Sequence, residues 1–177
     1  MISPCYTSIE DFDDIESKNF YAEFCETMTP EEAIAKINFG SRDNTRRPMC
    51  WNDSKFGGFS DAEPWIKPHS MVKELNLKTD LASEKSVFRF YQQLLKVRAA
   101  EDALTLGSVK FLSKDEDNYF ITLREYEDRK VAIVCNFEEV SDIRTGFKDG
   151  KLLLSNYGGR ECINGEYQPF EIAVYQL

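Results

Sequence analysis

The sequence predicts an α+β chain in which helices and a long loop come first and an antiparallel β-sandwich follows. Three observations carry that reading. Before Gly107 apolar residues recur at helical spacing, and after it they alternate with a period of two. The strand-like segments are joined by short turn-forming connectors such as Asp117-Asn118 and Lys148-Asp149-Gly150, which suit antiparallel neighbours. Between the helical segments, from residue 40 to about 81, periodicity is lost.

Ser8-Ile9-Glu10-Asp11 opens the first helix, with Ser8 as N-cap and acids in the first turn, where they meet the positive end of the helix dipole. Phe12, Ile15, Phe20 and Phe24 form an imperfect apolar stripe, which predicts a break or kink inside this segment. From residue 10 to 32 nine acids accompany a single base, Lys18, and this reads as a solvated acidic face. Thr29-Pro30-Glu31-Glu32 is sharper: Thr29 caps, Pro30 takes the first helical position and Glu32 closes a capping box. That helix runs through Ala33, Ile34 and Ile37 and stops at Gly40.

Gly57-Gly58, Pro64 and Pro68 then punctuate the irregular stretch, which carries both tryptophans, Trp51 and Trp65. A structureless connection of this length is uncommon and usually functional. Ser83 starts a third helix, with Val87, Phe90, Tyr91, Leu94, Leu95 and Arg98 at helical spacing. Strands follow at 108–113, 119–126, 130–137, 140–147, 151–156 and 170–177. The change of period sets a domain boundary between residues 1–106 and 107–177.

Composition narrows the function. At 177 residues there is room for one ordinary domain, or for one with a helical extension. Apolar residues at 42% and charged residues at 30% mark a globular chain. No apolar run approaches membrane-spanning length, and the N-terminus has no basic segment leading into an apolar one, so a soluble, cytoplasmic protein is expected. A net charge of -9 repels nucleic acid and anionic membranes, and neither is expected as a partner. Five cysteines (Cys5, Cys25, Cys50, Cys135, Cys162) are odd in number, widely spaced and without a CxxC pair; they read as reduced thiols, and no metal or cofactor is expected.

The densest chemistry lies in Arg42-Asp43-Asn44-Thr45-Arg46-Arg47-Pro48-Met49-Cys50-Trp51: three guanidinium groups, a carboxylate, an amide and a large aromatic. Pro48 blocks a helix and disfavours the helical region for Arg47, and Asp and Asn favour turns, so no regular element is expected. Such a loop suits a hydroxyl-rich or anionic ligand. It lacks the parts for catalysis by itself.

The pattern Arg42-Asp43-Asn44-x-Arg46-x-Pro48-Met49-x-Trp51 resembles a run in the α-amylase superfamily, glycoside hydrolase family 13, in its oligo-1,6-glucosidase, dextran glucosidase and α-glucosidase branch. Further matches follow in order. They are Gly58-Phe59, Pro64-Trp65-Ile66, Ser86-Val87-Phe88-Arg89-Phe90-Tyr91, Val134-Cys135-Asn136-Phe137, Leu153-Leu154-Ser155-Asn156-Tyr157 and Pro169-Phe170-Glu171-Ile172-Ala173-Val174-Tyr175. Ser8-Ile9-Glu10-Asp11-Phe12 is similar as well. Two positions depart: Cys50 stands where the family commonly has Gln, and Arg47 is atypical.

The resemblance implies a C-terminal fragment: the excursion after the eighth strand of a (β/α)8 barrel, the last barrel helix and the C-terminal β-domain. Met1 falls where the family has an internal methionine, which suggests an internal start, a split gene or a truncation. A retaining glycosidase needs two carboxyl groups about 5–5.5 Å apart. In this family they come from barrel strands preceding the matched region, so no catalytic residue is expected here. Arg46 matches the arginine that hydrogen-bonds the non-reducing glucose, a task for fixed, always-charged donors. Arg42 and Asp43 complete the substrate-binding set and, with Asn44, are expected to hold the loop, Asp43 accepting from backbone or Arg.

By itself the chain is therefore expected to be inactive, binding an α-glucosyl oligosaccharide only with the missing barrel. The helix face that would meet the barrel is expected to drive self-association. The alternatives are a free-standing carbohydrate-binding module and a subunit completing a separately encoded barrel. Trp51 and Trp65 are expected to pin the excursion, His69 to lie at the surface and Cys135 to be a buried apolar substitute.

Overall fold

The computed structural model describes residues 5–113 and 116–177, so Met1 lies outside the described residues. The chain divides into two compact units, Met1–Phe88 and Arg89–Leu177. The first is helices and loop and the second is built on an antiparallel sheet, as the change of period predicts. The unit boundary falls before the one drawn at residue 106. Most of the last long helix packs with the sheet.

In the first unit Ser8 caps a single 3-10 turn, Ile9–Asp11, through its hydroxyl oxygen and the Glu10 amide. The expected break comes next. Phe12 is wholly buried, and the chain restarts as α1, Ile15–Phe24, capped by Asp14. α2, Pro30–Gly40, carries the full reciprocal capping box of Thr29 and Glu32 with Pro30 in its first turn. Its buried Ile34 and Ile37 meet Phe12, and Tyr6 stands edge-on to Phe12 with ring centroids 5.0 Å apart.

The excursion is less irregular than expected. Arg42–Thr45 forms one 3-10 turn capped by Ser41, and α3, Leu77–Ala82, is capped by Asn76. The Cys50 and Trp51 carbonyls accept from the amides of Leu77 and Lys78, tying the far ends together. Gly57 accepts from the Trp51 and Asn52 amides with φ +64, and a Cβ there would stand 2.9 Å from the Cys50 sulfur. Ser83 does not start the next helix but ends α3. α4, Val87–Ala100, is capped from a distance by Asp80, whose carboxylate accepts from the Val87 and Phe88 amides at 2.9 and 3.1 Å.

In the second unit α5, Asp102–Thr105, precedes seven strands among the described residues. These are β1 (Ser108–Phe111), β2 (Tyr119–Tyr126), β3 (Arg129–Asn136), β4 (Ser141–Ile143), β5 (Lys151–Ser155), β6 (Gly165–Tyr167) and β7 (Ile172–Gln176). A five-stranded antiparallel sheet runs in the order β1-β2-β3-β7-β5, and β4-β6 forms a two-stranded ribbon. The ribbon's Ile143 and Tyr167 pack on Ile121, Ala132, Val134 and Ala173. Val131, Leu154 and Val174 pack instead with Ala103, Leu104, Phe90, Leu94 and Val97.

Three strand expectations need correction. The segment 140–147 pairs only over Ser141–Ile143, because Thr145 turns its amide and hydroxyl to Asn164. β6 is too short to show alternation, and β7 starts at Ile172 because Phe170 sits at φ +58. The α4 stripe is only partly core: Phe90, Leu94 and Val97 pack, whereas Val87, Tyr91 and Leu95 are exposed.

Candidate functional site

The 42–51 loop is held by a reciprocal clamp of two buried acids. Asp43, 1% exposed, turns Oδ2 to the amides of Asp13 and Asp14 at 2.8 and 3.1 Å. Asp14 returns the bond, its Oδ2 accepting from the Arg42 amide at 3.3 Å and from the Ser17 hydroxyl at 2.8 Å. Ser17 also reaches the Ser41 hydroxyl oxygen at 3.1 Å, which in turn caps the 3-10 turn by accepting from the Asp43 amide at 3.2 Å. Burial pushes the Asp14 carboxyl up, but the bonds from Ser17, Arg42 and Glu16 outweigh it and hold the group below its ordinary value. The clamp fixes both the break before α1 and the start of the loop.

The expected site residues differ in setting. Asp43 holds backbone and faces inward. Arg42 points outward to Glu16 at 2.8 Å, with both side chains about 60% exposed. Arg46 has a 44% exposed side chain and, among the described residues, a single long contact, Nη1 to Asp43 Oδ1 at 3.5 Å, which leaves its donors available to a ligand. Asn44 donates to the Asn38 carbonyl at 2.9 Å and so braces the loop on α2. Asp14, Ser17 and Ser41 were not expected from sequence. An acid directly ahead of Ile15 is a local N-cap signal that could have marked Asp14, whereas nothing local marks Ser17 or Ser41.

Four further expectations change or sharpen. The tryptophans are not the anchors: Trp51 is 50% and Trp65 72% exposed, while the neighbouring Cys50 and Ile66 are buried. Burial pushes the Cys50 thiol up, against the opposing effect of the Arg47 charge. His69 is half-buried rather than at the surface. Cys135 is half-buried in β3, and its desolvation likewise pushes the thiol up.

The buried acids among the described residues are Asp14, Asp43, Glu101 and Glu171. The first two serve backbone amides, Glu101 pairs with Arg129 at 3.2 Å and Glu171 with Arg160 at 2.6 Å. In the sheet unit a cleft of about 150 Å³ is lined by Leu112, Tyr119, Ile121 and Arg144 among others. It is smaller than the roughly 300–1,000 Å³ usual for ligand pockets.

Comparison with known proteins gives the loop its context. The family described as alpha amylase, catalytic domain, matches residues 9–107. An oligo-1,6-glucosidase of Halalkalibacterium halodurans is 35% identical over 97% of this chain and 31% of its own length. A trehalose-6-phosphate hydrolase of Bacillus subtilis is 32% identical over 100% of this chain and 33% of its own. Among solved structures, trehalose-6-phosphate hydrolase of Bacillus licheniformis superposes with a TM-score of 0.87 at 28% identity, over 99% of this chain and 34% of that one. Trehalulose synthase of Pseudomonas mesoacidophila gives 0.85 at 28% identity, over 98% and 33%. The chain thus spans about a third of the length of the curated relatives it matches.

Proposed function

The chain belongs to the α-amylase family, glycoside hydrolase family 13, and from that premise we propose that it serves hydrolysis of α-glucosidic bonds in short oligosaccharides. In this reading it supplies the substrate-binding arginine and the β-domain, while the catalytic carboxylates come from polypeptide outside this sequence. Arg46 donates to a glucose hydroxyl, and Asp43 and Arg42 set its position. The observation that carries the reading is the Asp14–Asp43 clamp, which fixes a loop whose Arg46 keeps one long internal contact. A fixed guanidinium with open donors suits a polyhydroxyl ligand.

Other features support the same reading. Tyr91 at 59% and Leu95 at 51% exposure leave one face of α4 apolar and open, the face on which a barrel would pack. Each large apolar side chain left wet forfeits about 1.5–3 kcal/mol, so without that cover the chain self-associates. Cys25, Cys50, Cys135 and Cys162 carry no disulfide, which suits a reducing cytoplasm.

The test is incubation with isomaltose and a chromogenic α-glucoside, with and without the polypeptide encoded upstream. Activity only with that polypeptide is expected, and robust turnover by this chain alone sinks the proposal. The exposed Trp51 and Trp65 favour a second reading, a carbohydrate-binding module, since aromatic faces can stack on sugar rings. Calorimetry showing specific sugar affinity without turnover in either mixture would select it.

A further inference from the structure

Asn164-Gly165 is the sequence's single Asn-Gly pair. The half-buried Asn164 stands directly ahead of β6 and ties it to the turn that follows β4. Its Oδ1 accepts from the Thr145 amide at 2.8 Å and from the Thr145 hydroxyl at 2.9 Å. Its Nδ2 donates to the Phe147 carbonyl at 2.6 Å. A backbone N–H on one side and a backbone C=O on the other fix which way the carboxamide points. A carboxylate in its place only accepts, and would set a second acceptor against the Phe147 oxygen.

Gly165 supplies the reacting partner. Its φ of +121 lies in the region that favours glycine. Beyond its chain neighbours, no described atom lies within 4 Å of where a Cβ would stand. The nitrogen of a residue without a side chain is the least hindered main-chain nucleophile for the carboxamide before it.

We propose that Asn164 is a self-modification site, which deamidates through a succinimide when the β4–β6 ribbon opens and whose product then weakens the ribbon. The Gly165 nitrogen gives its proton to solvent and bonds to Asn164 Cγ, the Cγ–Nδ2 bond breaks and Nδ2 leaves as ammonia. Water then cleaves one of the two carbonyl–nitrogen bonds of the ring, leaving an aspartyl or an isoaspartyl residue. Water is the only reagent consumed. Ring closure draws the carboxamide away from Thr145 and Phe147, so the three bonds break first. Each is worth a factor of about two to ten in the opening equilibrium, so the folded chain reacts about ten- to a thousandfold more slowly than an unfolded one. Afterwards the aspartyl form lacks the donor to Phe147, and the isoaspartyl form lengthens the main chain just ahead of β6. That strand carries Tyr167, wholly buried among Ile121, Val134 and Ala173, so the lost clamp loosens the packing of the ribbon on the sheet. The reaction needs no sugar, so it stands or falls separately from the enzymatic reading.

The experiment incubates the full chain in mildly alkaline buffer, folded and in denaturing urea, and follows each asparagine by peptide mass mapping after digestion in acid. In urea Asn164 is expected to convert first, to both aspartyl and isoaspartyl products. In the folded chain the same residue should convert about ten- to a thousandfold more slowly. Thr145→Val removes the hydroxyl donor and should quicken the folded reaction about two- to tenfold while leaving the urea rate unchanged. Asn164→Asp installs the aspartyl product directly, and its amides over residues 141–147 should exchange hydrogen at least about twofold faster than those of the wild type. A Thr145→Val chain that does not fold leaves the wild-type comparison and Asn164→Asp to decide. Another asparagine converting first in urea, a folded rate equal to the urea rate or below the stated range, a folded Thr145→Val that reacts like the wild type, or wild-type exchange in Asn164→Asp overturns the proposal.

Discussion

Replacing Asp43 by alanine removes the carboxylate that joins the loop to the segment ahead of α1. Two amides lose their acceptor, those of Asp13 at 2.8 Å and Asp14 at 3.1 Å. The Asp14 amide is buried, and leaving such a donor unmet costs about 1–3 kcal/mol. The Asp13 amide is only part-buried and can turn to water, so it adds about 1 kcal/mol or less. Together the change destabilises the Met1–Phe88 unit by about 1–4 kcal/mol. Asp43→Asn keeps one acceptor oxygen but loses the charge, and costs about half as much. Arg42→Ala is the control: its pair with Glu16 is just as short, but both side chains are about 60% exposed, so no more than about 1 kcal/mol is lost. The only two tryptophans, Trp51 and Trp65, lie in this unit, so urea unfolding followed by their fluorescence reports on it selectively. The reasoning is refuted if Asp43→Ala costs less than about 0.5 kcal/mol, or no more than Arg42→Ala.

Arg46→Ala should leave the same unfolding curve within about 0.5–1 kcal/mol, since its one internal contact is long and the side chain is 44% exposed. In the complete enzyme it should cut kcat/KM on α-glucosides by about tenfold or more, the loss expected when a charged donor to substrate disappears. Glu171→Ala strands Arg160, whose side chain is 12% exposed, and should cost about 3–5 kcal/mol in urea unfolding of the sheet followed by circular dichroism. The Asp14 carboxyl is held below its ordinary 3.8 in the folded state, so the unfolded chain takes up that proton first as pH falls. Its stabilisation is complete above about pH 4 and is lost as pH drops through the lower folded value. Asp14→Asn should therefore flatten the acid limb of stability against pH, read from urea midpoints between about pH 5 and pH 3.

What was legible in the sequence was mostly local. The Thr29–Glu32 box and Pro30 lie within one turn, and the structure shows both. The break after Asp11 followed from a stripe that loses phase, and β2 and β3 followed from alternation that survives burial on both faces of the sheet. What was missed depends on distant partners. α4 begins at Val87 because Asp80, on the preceding helix, supplies the cap, and no residue beside Val87 announces that. α3 escaped notice because six residues are too few to show a period. The 42–51 loop stood out by its chemistry and by its family resemblance, and Asp43 does accept from backbone and from Arg46, yet which backbone it holds depends on Asp13 and Asp14 some thirty residues earlier. The tryptophans misled in the opposite direction. Size suggested anchors, but the smaller Cys50 and Ile66 fill the interior.

The reciprocal bonding of Asp14 and Asp43 bears on how this loop can be exchanged between relatives. A chimera that transplants residues 41–51 alone brings one half of a two-sided contact into a host whose segment ahead of α1 evolved with a different loop. The unit of exchange is discontinuous: Phe12 through Ser17 must travel with the loop, because Asp14 bonds the Arg42 amide and Ser17 bonds Ser41. Crossover points between these two segments should be tolerated only where both ends of the clamp come from the same parent.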